Sequence, residues 1–90
     1  MPTNLMRAGS VNETVDISAR KKDQMTAALV DSVTSVTTKV SLKFSDDKNK
    51  SSYKVFNLSA NPAHFVVYIP AGALTYSATV TGEDIKIAWA

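Results

Sequence analysis

Asp23-Gln-Met-Thr-Ala-Ala-Leu-Val-Asp-Ser-Val-Thr-Ser-Val36 decides what kind of molecule this chain makes. Met25, Ala28, Leu29, Val33 and Val36 recur at the period of a helix with one apolar face. Asp23 or Ser18 caps such a helix. The β-branched run Val33-Thr-Ser-Val-Thr-Thr38 resists its continuation. The spacing therefore predicts a helix over about 20–32, ending near Ser32. A second reading stays open for the same residues: one long strand from about 26 to 45.

Downstream the period is two. Val36, Thr38, Val40, Leu42 and Phe44 share one side of a strand that ends at Ser45-Asp46-Asp47. The polar string Asp46 to Ser52 reads as a hairpin loop, and Tyr53 to Ser59 as the returning strand. The apolar side of that strand slips from Tyr53 and Val55 to Phe56 and Leu58. Such a slip marks a bulge or a strand apolar on both faces. Asn61-Pro62 signals a turn. His64-Phe-Val-Val-Tyr-Ile69 is almost wholly apolar, the pattern of a central strand covered on both sides. Leu74, Tyr76, Ala78 and Val80 alternate with hydroxyl residues, and Ile85, Ile87 and Trp89 share a side of a closing strand. Upstream, Thr14 to Ser18 alternates as a short edge strand or an extended lead-in, and residues 1–13 read as an extended arm. The expectation is mainly β with one N-terminal helix (α+β), with residues 14–90 forming a small, strongly bent five-stranded antiparallel barrel.

That order, a helix and then five short strands, resembles the Sm-like family over about residues 19–89; these are ring-forming RNA-binding proteins that include the bacterial RNA chaperone. Val67-Tyr-Ile-Pro-Ala71, followed by Leu74-Thr-Tyr76, is similar to that chaperone's valine–tyrosine segment and the threonine-bearing strand after it. Ile69-Pro70 stands where the family carries lysine–histidine, so no RNA-contact residue carries over. The resemblance implies a ring-forming barrel that binds nucleic acid.

Ninety residues hold one domain, and 44% apolar content suits a folded one. Without cysteine there is no disulfide, thiol nucleophile or cysteine metal site, and His64 alone makes no multi-histidine site. The expectations are no metal and no cofactor. The longest apolar run, Phe65–Ile69, has five residues, far short of a membrane span, and no secretion signal is evident. A cytoplasmic protein that does not enter a membrane is expected. His64 has no cysteine partner, and nothing in the pattern groups a serine and an acid around it, so no enzyme is expected. Trp89 either closes the barrel or packs on a neighbouring subunit.

Ten basic and eight acidic side chains leave a net charge of +2, so any polyanion site depends on local clustering. Lys39, Lys43 and Lys54 are expected on or near one outer sheet face, with Lys48 and Lys50 in the loop between. Arg20, Lys21 and Lys22 sit where a helix N-terminus would hold phosphate. Tyr53 and Tyr68, or Tyr76, offer stacking surface for bases. The plainer reading stands beside this one: a half-wet strand pair places lysine on its wet face. The leading expectation is a non-enzymatic homo-oligomer that binds RNA or single-stranded DNA through these residues. The alternative is a structural or assembly subunit, such as a viral or phage component or a small scaffold. It rests on the arm, the Thr/Ser/Val-rich strands and the modest charge.

Overall fold

The computed structural model describes residues 2–31 and 33–90. Among them there is no helix. Eight strands run β1 Thr3–Met6, β2 Val15–Asp16, β3 Gln24–Leu29, β4 Thr38–Ser45, β5 Ser51–Leu58, β6 His64–Tyr68, β7 Thr75–Thr81 and β8 Ile85–Trp89. They form two four-stranded sheets, the first in the order β1-β8-β3-β6 and the second β2-β7-β4-β5. Every pairing is antiparallel.

The pairing follows a simple rule. β4 pairs β5, β3 pairs β6, β2 pairs β7 and β1 pairs β8, as in one long folded-over hairpin. Rolling that hairpin adds the two remaining contacts, β8 to β3 and β7 to β4. The result is a jelly roll, two packed sheets instead of a closed five-stranded barrel. The helix–five-strand order behind the Sm-like resemblance is therefore not the order this chain forms.

The predicted helix is the central correction. Residues 24–29 are β3, held between β6 and β8, and Met25, Ala27 and Leu29 turn inward at period two. Ala27 and Ala28 are adjacent and similar, so both periods fit the sequence until the neighbouring strands choose one. Good helix formers such as Gln24, Met25 and Leu29 then yield to pairing on both sides. Val33 and Val36 are exposed in the β3–β4 connection. The expected helix end at Ser32 lies outside the described residues, as does Met1 of the expected arm. Thr3–Met6, from the rest of that arm, lies along β8.

The core lies between the two inner faces. Val40, Leu42 and Phe44 of β4 and Tyr76, Ala78 and Val80 of β7 face Met25, Ala27, Ile85 and Ile87 across it. Each fully buried large side chain of this kind contributes about 1.5–3 kcal/mol. The β4–β5 hairpin closes at Asp46, whose carboxylate accepts the main-chain N–H groups of Lys48 and Lys50 at 2.9 and 2.8 Å. Asn49 there takes a left-handed φ of 58°, a conformation asparagine tolerates better than most residues. β5 carries no bulge: its register against β4 is unbroken, and it is apolar on both faces. β6 is an edge strand and not the covered central strand expected of it.

Trp89 packs against the core, and its indole N–H donates to Asn4 Oδ1 at 3.0 Å. The same oxygen accepts from the Tyr76 hydroxyl, also at 3.0 Å. Asn4 thus ties β1, β8 and the opposite sheet together. Burial pushes the Tyr76 phenol well above its ordinary value.

Candidate functional site

Alternation along β4 buries its even-numbered residues and turns Lys39, Ser41, Lys43 and Ser45 outward. The register extends each into a row across the second sheet: Thr81, Lys39 and Asn57; then Thr79, Ser41 and Val55; then Ser77, Lys43 and Tyr53. The face is thus hydroxyl-rich, with two lysines about 13 Å apart on one strand. Tyr53, 62% exposed, lies directly across from Lys43. Asp16, paired with Thr75 at the far corner, brings a carboxylate to this face. Lys48 and Lys50 project from the hairpin beyond the Lys43 end.

The other expected residues go elsewhere. Lys54 is paired with Leu42, so it sits on the opposite side of β5 from Lys39 and Lys43, at the rim facing β6. It does not share their face. Arg20 has a side chain only 9% exposed, bonded through Nε to Asp23 at 2.9 Å and through a terminal nitrogen to the Ile17 and Ala73 carbonyls. That guanidinium pins a loop. Lys21 and Lys22 are exposed, and their main-chain N–H groups donate to the Ala90 carbonyl, beside Trp89. Tyr68 lies on the outer face of the first sheet, away from Tyr53. Lys39, Lys43 and Tyr53 are therefore brought to one face, with Lys48 and Lys50 beyond its end, whereas Arg20, Lys21, Lys22, Lys54 and Tyr68 lie elsewhere.

A different surface emerges where the two sheets meet at their open side. β5 ends the second sheet and β6 ends the first, and Phe56 and Phe65 stack between them at 4.7 Å with planes 10° apart. Around that stack is an open recess of about 290 Å³, lined by Lys54, Phe56, Phe65, Val67 and Tyr68 among others. Phe65 is 43% exposed, Val66 41% and Tyr68 70%. Sequence reasoning missed this surface because an uncharged apolar run fits a doubly covered strand equally well. No sequence signal marks it, because His64 to Ile69 lacks the charges by which edge strands are ordinarily recognised.

No group of His, Cys, Asp or Glu among the described residues is arranged to hold a metal ion. Among the described residues no helix long and apolar enough to cross a membrane is present. His64 is exposed at the start of β6, opposite Ala28. No family model matches the chain, and neither any curated protein nor any solved structure is significantly similar to it.

Proposed function

We propose that this chain is a non-enzymatic structural subunit that assembles with copies of itself through the β5–β6 side of the jelly roll. One observation carries the reading: β6 is an uncharged edge strand whose Phe65, Val66 and Tyr68 are substantially exposed. Exposed edges of that composition template pairing with other chains, and proteins that stay monomeric blunt them with charge, proline, bulges or shortness. The other edges have such devices. β2 is two residues long, β1 is four residues preceded by Pro2, and β5 carries Lys54 at its centre. The jelly roll itself hosts capsid, lectin and cupin domains, so the fold alone selects none of these roles. Light scattering from micromolar to millimolar concentration tests the reading. A mass that rises with concentration is expected; a strict monomer throughout would overturn it.

A second reading is binding of single-stranded nucleic acid on the outer face of the second sheet. The row of Lys43 with Tyr53, and Lys39 two rows along, favours it, since lysine neutralises phosphate and an exposed phenol stacks on bases. Two lysine contacts per copy give a slope of log K on log salt near about −1.4. Fluorescence anisotropy with labelled oligonucleotides measures it. The double variant K39E/K43E is expected to abolish binding at low salt, and unchanged binding refutes this face. The two readings use different sheets and fail separately.

A further inference from the structure

We infer that two copies join edge to edge through β6, antiparallel, with Val66 on the twofold axis, giving one continuous eight-stranded sheet. The inference rests on the self-association reading above and specifies its joint.

The phase of the β3–β6 ladder carries the argument. Leu29 N–H donates to the Ala63 carbonyl and Ile69 N–H to the Asp23 carbonyl, each at 2.9 Å. Both pairs continue the β3–β6 register, so odd-numbered residues of this segment turn their main-chain groups toward β3. His64, Val66 and Tyr68 consequently turn theirs outward. No hydrogen bond found among the described residues engages these outward groups.

Those three positions are spaced for self-pairing. Centring on Val66 sets Val66 against Val66 and His64 against Tyr68 of the second copy, all in the hydrogen-bonded phase. Each such pair exchanges two N–H···O bonds, so the three pairs make six across the joint. Directly opposite residues share a face, so Phe65 meets Val67 on the inner side and the Val66 side chains meet on the outer side. Apolar pairs of this kind favour the match, and no lysine or carboxylate lies on either strand.

Charge selects a second copy at β6 over the same joint at β5. In the β4–β5 ladder, Asp46 N–H donates to the Lys50 carbonyl, so Tyr53 and Val55 are among the outward-facing positions of β5. Symmetric pairing centred on either one brings the two Lys54 side chains to diagonal positions, about 7–8 Å apart. Like charges so placed oppose association, and β6 has no such conflict.

Amide hydrogen exchange of the intact protein by NMR, at low and high concentration, tests the joint. In the monomer, His64, Val66 and Tyr68 exchange rapidly while Phe65 and Val67, bonded to β3, are protected. At concentrations where the mass doubles, all five are expected to be protected. Val66→Pro removes an outward N–H without touching the β3 ladder, a place where an edge strand tolerates proline. It is expected to weaken dimerisation about ten- to a hundredfold while keeping the circular dichroism of the fold. A dimer in which residues 64, 66 and 68 still exchange freely would overturn the joint and leave self-association standing. A protein monomeric at every concentration would overturn both.

Discussion

Replacing Asn4 by alanine tests how the two sheets are fastened at the β1–β8 side. The Asn4 side-chain oxygen accepts from Tyr76 Oη and from Trp89 Nε1, each at 3.0 Å. Tyr76 is fully buried and Trp89 half-buried, so Asn4→Ala strands one donor without water and a second with little. An unsatisfied buried donor costs about 1–3 kcal/mol, which places the pair at about 2–4 kcal/mol after allowing for the partial access of Trp89. For a domain of this size each kcal/mol moves Tm by about 4–8 °C, so a drop of about 10–30 °C is expected. Tyr76→Phe removes the donor and leaves Asn4 satisfied by Trp89, a cost of only about 0.5–1.5 kcal/mol. The double variant is expected to be no less stable than Asn4→Ala alone, because the orphaned hydroxyl is gone. Urea and thermal unfolding followed by circular dichroism supply the three numbers. If Asn4→Ala costs no more than Tyr76→Phe, the shared acceptor does not fasten the sheets and this reasoning fails.

Alkaline pH is expected to unfold the protein through the same residue. The Tyr76 phenol is raised in the fold above an unfolded value of about 10, so its contribution is full below that pH and declines as pH rises past it. The decline is up to about 1.4 kcal/mol per pH unit; urea titrations at successive pH values should show this component missing in Tyr76→Phe. Gly82→Ala should destabilise strongly, by about 3 kcal/mol or more. Gly82 has a φ of 123°, and an added Cβ would lie 2.9 Å from both the Thr37 carbonyl oxygen and Thr38 Cα. A loss below 1 kcal/mol, on the scale of an ordinary surface substitution, would show that the β3–β4 connection gives way. Arg20→Ala should lower Tm, through lost bonds to the Ile17 and Ala73 carbonyls worth about 1.5–3 kcal/mol each, and leave any oligonucleotide affinity unchanged. An affinity change without a stability change would return Arg20 to a binding role.

Most of the strand content was legible because period-two patterning and burial coincide. Val40, Leu42 and Phe44, then Tyr76, Ala78 and Val80, then Ile85 and Ile87 all turn inward where alternation places them. The Asp46–Asn49 turn was legible from its polar string, and β2 from Val15 and Ile17. β3 was not, because two adjacent alanines satisfy either period and the deciding term is pairing with β6 and β8. Missing β3, reading β1 as part of an extended arm and leaving β2 out of the barrel gave five strands where there are eight, and a barrel where two sheets pack. The candidate site fared similarly. Lys39, Lys43 and Tyr53 share a face because their parity does, whereas Lys54 lies one residue out of phase. Arg20 looked like a free cation because nothing local announces a carbonyl at Ala73 waiting for it. The open β6 edge is a property of topology, and composition has no access to which strand ends a sheet.

The nested pairing of the strands also dictates an order of events when the chain is made. β4 and β5 are neighbours joined by a short turn and can zip as soon as both exist, with little loop entropy to overcome. Each further rung joins segments more distant in sequence, from β3 with β6 outward to β1 with β8. Closing the rungs from the inside shortens each later search, because the ends are already near one another. Among the described residues β1 pairs with no strand other than β8, so residues 3–6 wait for their place in the sheet until residues 85–89 have been synthesised. During that interval β1 and the edge of β3 that later pairs with β8 stay unpaired. The growing chain would then rely on a chaperone, or on speed, to keep them from other partners.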